Sequence, residues 1–302
     1  MEKEQPTFEH IEHSYAITID KEKATGRGDF ELAMKDLKKV AREGITMAGG
    51  PAAILLQIAH PAVGQGVADH STFTSRAISR AQYTQMYIYT MIFGNDEQKA
   101  AVKAWVDKAH SRIVGDGKVS YNAKDPELQL WVAATIYAAM VGMYELIYGA
   151  LPPARAERVY KAFSIMGTSL QLPHDMWPAD LKAFRAYWKD MTENHLQVSP
   201  DAKRVLKEIF HPKGLPLWAR PIVTVAMPFV RPVTIEQLPP GVREQFDLKS
   251  TRTSRAIAGI FISGMSSVYP FIPLFLRQAQ KTYYMRLLKK RMAKRGGQLT
   301  KP

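Results

Sequence analysis

The chain of 302 residues contains no cysteine. That excludes disulfides, thiolate nucleophiles, zinc fingers, iron–sulfur clusters and thiolate-ligated haem together. Any metal would rest on His, Asp, Glu, Tyr or Met. Histidine is itself scarce: His10, His13, His60, His70, His110, His174, His195 and His211 are all there is. Strand-type alternation is nearly missing, with Ser14–Asp20 and Lys118–Ala123 the only short candidates. No GxSxG, P-loop or GxGxxG pattern occurs, and Gly26-Arg27-Gly28 has Glu31 where a dinucleotide fingerprint needs its third glycine. Hydrolase, kinase and Rossmann readings therefore lack support. The two Glu-x-x-His motifs that a diiron bundle needs are not both there, Glu208-Ile209-Phe210-His211 being a single one. The N-terminus, MEKEQPTFEHIEH, is polar and acidic and has no apolar h-region. No secretory signal is predicted, so the expected location is intracellular, cytoplasmic or peripheral to a membrane.

What is present is ordinary globular material, 46% hydrophobic and 23% charged. Its net charge of +13 is lopsided. Residues 281–302 carry eight Lys and Arg and no acid, so the basicity describes a tail rather than a nucleic-acid-binding face. No nucleic-acid partner is expected. The tail reads as a solvated helix end or as a contact for anionic lipid, where each Lys or Arg is worth about 1 kcal/mol. A chain ending at Tyr283 would stay folded if the core ends there.

Two uncharged stretches, Leu128–Tyr144 and Ala256–Leu276, approach the length of a membrane span. Gly259, Gly264, Pro270 and Pro273 break the second into helix, break and helix. Both read as buried core. Elsewhere the hydrophobic period is helical. Helices are predicted over Asp29–Ala48, Pro51–His60, Ser75–Phe93, Asn95 to Gly115, and Asp125 to Tyr148. Further helices fit Ala154–Gly167, Pro178–Thr192, Pro200–Phe210, Arg252–Ser267 and Pro273–Arg295. Gly64 and Gly66 mark a loop or irregular helix, and Pro212–Pro240 is proline-rich and poorly periodic. The fold class is all-α: an N-terminal arm (1–28), one multi-helix domain (29–280) and a basic tail (281–302).

Two successive helices carry the functional argument. In Asn95–Val114, Val102, Trp105, Val106, Ala109 and Ile113 recur on one face, and His110 belongs to it. An imidazole among apolar residues is either a core histidine bonded to a carbonyl or a metal ligand. In Ser75–Phe93, Arg80, Tyr83, Thr84, Tyr87 and Met91 share a face. They give a cation, a phenol and a hydroxyl within one turn, then an apolar wall, which suits a pocket with one polar end. The alternative is an amphipathic helix edge with an exposed arginine. The interval from Tyr83 to His110 is close to that between distal and proximal positions in haem-binding globins.

At these residues the chain resembles a known family. Leu55-Leu56-Gln57-Ile58-Ala59-His60-Pro61, with Val63, Gly66, Val67, His70 and Ser71, is similar to its HPxVxxGVxxHS signature. Arg80-x-x-x-Thr84, Phe93-Gly94, His110-x-x-Ile113-Val114-Gly115, Tyr121, Asp125-Pro126-Glu127-Leu128 and Trp131-Val132 follow in order. The resemblance is to the MpaB-type oxygenases and the latex-clearing rubber oxygenases, over roughly residues 40–280. It implies haem b in a globin-like helical core, with O₂ used to cleave carbon–carbon double bonds of isoprenoid chains. By position, His110 corresponds to the proximal iron ligand and Arg80 and Thr84 to the distal pair. Tyr83 stands where the rubber enzymes have a lysine, and Ala133 where many relatives have histidine. His60 and His70 match the pattern in a structural capacity. The implied activity is a haem-dependent oxygenase acting on an apolar, prenylated type of small molecule. Arg80, Tyr83 and Thr84 would be catalytic, His110 the metal ligand, and Arg80, Thr84 and Tyr87 beside the cofactor. The rival reading is a non-catalytic, membrane-associated helical binding protein of the same fold.

Overall fold

The computed structural model describes residues 27–70, 73–211, 217, 219–293 and 299, with the backbone alone at 27, 73–80, 219 and 222. Ser14–Asp20, the His10–His13 pair and Ser71 lie outside the described residues. Helix α1 (Arg27–Ala41) stops short of the predicted Ala48, because Gly44–Gly49 tightens into a 3₁₀ turn. Helix α2 (Gly50–Ala59) follows, with Pro51 in its first turn. Helix α3 (Pro61–His70) then decides for helix in the stretch where the two glycines left a loop or an irregular helix open. The glycine serves close approach instead. A Cβ on Gly64 would lie 2.5 Å from the Ile58 carbonyl oxygen, so only glycine lets α3 turn this tightly off α2.

Helix α4 (Phe73–Phe93) and helix α5 (Asp96–His110) meet at Gly94-Asn95. The predicted capping box is in place: Asn95 accepts from the Gln98 backbone N–H at 2.9 Å, and the Gln98 side chain accepts from the Asn95 N–H at 3.2 Å. Beyond α5, strands β1 (Val114–Gly115) and β2 (Tyr121–Asn122) form a two-residue antiparallel pair, Val114 opposite Asn122 and Gly115 opposite Tyr121.

Helix α6 (Pro126–Tyr148) is the axis of the core. Asp125 caps it by accepting from the Glu127 N–H at 2.9 Å. Its residues are buried on nearly every side, as an all-round apolar helix requires. Trp131 is fully enclosed and donates its indole N–H to the Leu56 carbonyl at 3.1 Å. Among the described residues α6 alone is long and apolar enough to cross a membrane, yet 72% of that window is buried inside the protein.

Helices α7 (Pro153–Phe163), α8 (Ile165–Thr168), α9 (Leu181–Asp190) and α10 (Pro200–Phe210) wrap this axis. Tyr137, Tyr160, Phe163, Trp177 and Phe184 interlock there at centroid distances of 5.1–6.3 Å. Buried Asp36 on α1 ties α1 to α7 through Arg158 at 2.7 Å and Arg155 at 3.4 Å.

Helix α11 (Ala219–Glu236) contradicts the irregular reading of Pro212–Pro240, for it runs through Pro228 and Pro232. Each proline frees the carbonyl four residues back. Those carbonyls belong to Thr224 and Pro228, both exposed, where water can satisfy them. Helices α12 (Pro240–Gln245) and α13 (Arg252–Val268) come next, then a 3₁₀ turn at Tyr269–Phe271 and helix α14 (Leu274–Arg277). The stretch 256–276 is thus helix, break and helix, cut at its two prolines, but it is not the buried core its composition predicts. Only Ala258, Gly259 and Tyr269 are buried in it, whereas Ile260, Val268, Phe271, Phe275 and Leu276 are exposed, because α13 packs on α6 and α11 by one face only.

The last described helix, α15 (Ala279–Ala293), starts just before the boundary read at residue 281. It packs along α4. Tyr284 stacks on Tyr89 at 5.8 Å, and Leu288 and Met292 join the main hydrophobic core. The core therefore does not end at Tyr283, and this part of the basic segment is a built-in helix. Just upstream, the Arg277 guanidinium donates to both oxygens of buried Glu43 at 3.0 Å and to the Tyr148 hydroxyl at 2.6 Å. That cluster fastens the C-terminal part of the chain to the end of α1.

Candidate active site

The chemistry-bearing residues of α4 divide between surface and core. Arg80 lies on α4, and its side chain is outside the described atoms. Tyr83 is half-buried, Thr84 is exposed, and Tyr87 and Met91 are buried. The Tyr87 hydroxyl donates to the Met166 carbonyl at 2.5 Å, and burial pushes its pKa far above that of free tyrosine. Its proton is committed to α8. Tyr83 is the polar member of the face that reaches α5. Its ring centroid lies 4.8 Å from that of Trp105, tilted by 54°. The Arg291 guanidinium of α15 sits 5.2 Å over the same ring, at cation–π distance.

On α5, Val102, Trp105 and Val106 are buried as the periodicity predicts, and His110 is the half-buried last residue. The His110 Nδ1 atom is shielded from solvent. One turn earlier, Asp107 anchors this helix end. Its Oδ1 takes Lys124 Nζ at 2.9 Å and Gln171 Nε2 at 2.7 Å. The Lys124 hydrogen bond, with help from Gln171 and His110, holds the Asp107 carboxyl below the usual range. Gln171 is fixed in turn by buried Gln129 of α6, which donates to Gln171 Oε1 at 2.6 Å and accepts from the Gln171 backbone N–H at 2.9 Å. Gln129 also donates to the Ala123 carbonyl at 3.0 Å. An amide–carboxylate chain thus sets the position of the helix end that carries His110. Sequence reasoning missed Asp107, Gln129 and Gln171. The available signal was Gln129, the one amide in a helix that is apolar on nearly every side.

Residues of the histidine-rich signature converge on Tyr121. Its hydroxyl donates to Asp69 Oδ2 at 2.9 Å and lies 3.0 Å from His70 Nε2. A Cβ on Gly115 would lie 2.5 Å from Tyr121 Cζ, and one on Gly66 3.1 Å from its Cδ2. Gly115 needs to be glycine for the ring to fit, and at Gly66 a side chain would press on it. The knot holds α3 against the β1–β2 pair that leaves the His110 end of α5. His60 caps α2, with Nδ1 buried and without a hydrogen-bond partner among the described residues.

A family model described as "ER-bound oxygenase mpaB/B'/Rubber oxygenase, catalytic domain" matches residues 37–266. The chain belongs to this family. It is also similar to the uncharacterized proteins Mb2261 of Mycobacterium bovis and Rv2237 of Mycobacterium tuberculosis. Each is 36% identical over 206 residues, covering 66% of this chain and 79% of the relative. No solved structure matches. The oxygenase domain so defined runs from within α1 to near the end of α13. It contains the α4–α5 pair, the Asp107 network and the Tyr121 knot, whereas α14 and α15 lie beyond it.

The donor set bears on which cofactor this oxygenase-family domain can hold. Among the described residues, no three His, Asp or Glu side chains gather around a common point. A bare divalent ion wants three or four such ligands. Haem iron arrives with four ring nitrogens and asks the protein for one axial imidazole. A half-buried His110 on a braced helix end fits that second demand.

Proposed function

We propose that this member of the oxygenase family is a haem b enzyme that uses O₂ to oxidise or cleave an apolar, isoprenoid-type small molecule. The observation that carries the reading is His110, a half-buried imidazole at the end of a helix that Asp107, Gln171 and Gln129 hold in place. His110 would hold the iron. When bound, haem supplies the redox chemistry that activates O₂. The chain's own contribution is placement, dryness and charge. Gln129 and Gln171 keep Asp107 oriented, and Asp107 lies one turn from His110, where its negative charge favours a basic imidazole. Tyr83 and Trp105 supply flat apolar walls for a hydrocarbon substrate. By position in the family pattern Arg80 and Thr84 would be the hydrogen-bond donors to the reacting oxygen. Thr84 is exposed, so that role requires the bound group or substrate to cover it. Tyr83, which replaces the lysine of the rubber enzymes, adds a phenolic donor and no permanent charge. Cleavage of a C=C bond by one O₂ leaves two carbonyl products and consumes no external reductant.

The test is a pyridine haemochrome assay with iron quantification on protein expressed with haem supply. The wild type should show a Soret band and about one haem per chain. H110A should lose that band while its far-UV circular dichroism stays helical. Full haem retention by H110A would remove His110 from this role. A wild type that takes up no haem would favour the binding-protein alternative.

A further inference from the structure

Helices α11 and α13 lie antiparallel. At one end Ser254 Oγ donates to Glu236 Oε1 at 3.1 Å, and further along Phe229 stacks on Phe261 at 5.5 Å. Continuing that register at ~1.5 Å per residue brings the start of α11 alongside the end of α13. Val225, Val268, Phe271, Phe275 and Leu276 are all exposed around that end, Phe271 by 85% and Phe275 by 67%. Scattered exposed apolar residues are normal, but a cluster with two phenylalanines at its tip marks a contact surface. Pro270 and Pro273 fix the turn that presents it.

Charge identifies the occupant. Twelve Lys and Arg residues and no acidic one follow Asp247. Helix α15 leaves the apolar tip with Tyr284, Leu288 and Met292 turned into the core. It leaves Tyr283, Arg286, Lys289 and Lys290 exposed. The two phenylalanines and the basic stripe therefore follow one another in the chain, Phe271 in the 3₁₀ turn, Phe275 on α14 and the stripe on α15. A second copy of the chain would bring two such stripes together with no acid to offset them. An anionic lipid surface complements both features at once.

We propose that Val268–Leu276, with the start of α11, docks this protein on an anionic bilayer. Phe271 and Phe275 enter the acyl boundary, and Arg286, Lys289 and Lys290 meet the lipid phosphates. Its main part, Val268–Leu276, lies beyond residue 266, where the family match ends. Neither the cofactor reading nor α6, whose apolar window is mostly buried, enters the argument.

The test is flotation of the full chain with vesicles of phosphatidylcholine alone and of phosphatidylcholine mixed with phosphatidylserine. The wild type should float with the anionic vesicles at low salt and be released as sodium chloride rises. F271S/F275S should lower the partition coefficient roughly tenfold or more. R286Q/K290Q should lower it about fivefold per charge removed. Because the native chain has no cysteine, F271C can be labelled at that one site with an environment-sensitive fluorophore. Its emission should shift to the blue on anionic vesicles, a readout that holds even where a double variant folds poorly. A wild type that stays unbound at low salt overturns the proposal. So does F271S/F275S binding like wild type, or an F271C label that does not shift. A lipid-indifferent dimer that F271S/F275S turns into monomer would assign the surface to a second copy instead.

Discussion

Replacing Leu288 with alanine tests whether α15 belongs to the domain or hangs from it. The Leu288 side chain has no solvent exposure, and it packs in the seam between α15 and α4 near the Tyr89–Tyr284 stack. L288A removes buried methyl and methylene groups and leaves a cavity that two packed helices close only in part. The expected cost is ~3 kcal/mol, in the middle of the range for buried leucine. At about 2.1 cal/mol/K per residue, the unfolding entropy of a chain this long is roughly 0.6 kcal/mol/K, so Tm should fall by roughly 5 °C. Differential scanning calorimetry reads the shift, with K290A on the exposed side of the same helix as control. That control should stay within about 0.5 kcal/mol of wild type. Equal Tm values for L288A and K290A would refute the reasoning and make α15 a removable tail. The same helix carries Arg291 over the Tyr83 ring, so loosening it should also disturb the α4 side of the candidate site.

Glu43→Gln should cost about 3 kcal/mol in urea unfolding, because it leaves the Arg277 guanidinium without its buried carboxylate. R277M/E43Q should recover part of that loss, and strictly additive single effects would show that the pair is not coupled. His60 makes the protein less stable in mild acid. Burial first, then the positive field of His195, lowers its pKa from 6.5, against a smaller opposing pull from Asp125. The unfolded chain therefore binds the proton more readily than the folded one. The stabilisation from neutral His60 is complete above about pH 6.5 and is lost as the pH falls from there through the lowered folded value. Urea midpoints at pH 7.5 and 5.5 (each about one unit from the free-histidine value) should differ more for wild type than for His60→Gln. Equal differences would remove His60 as the cause.

Much of the architecture was legible in the chain, for local reasons. Asn95 with Gln98, Asp125 before Pro126, and an apolar run with no breaker are instructions that act within one or two turns. Each produced the expected helix start or core helix. The exclusion of thiolate chemistry, the all-α class, the His110 helix face and the order of the family motifs were in the sequence as well. Tertiary contact decided the rest. Gly64 leaves loop and irregular helix both open until Ile58 is seen to need its missing Cβ. Pro228 and Pro232 read as breakers until their freed carbonyls are found on exposed residues. The basic tail reads as a solvated end because its charges outnumber its apolar residues, and only packing on α4 shows that three of its side chains hold it in the core. The brace beneath His110 joins residues 107, 129 and 171, and the knot on Tyr121 joins residues 66, 69, 70 and 115. Local periodicity reports which face of a helix is apolar. Which distant amide or carboxylate completes a hydrogen bond depends on how helices far apart in the chain come to lie side by side, and that is set only when the core closes.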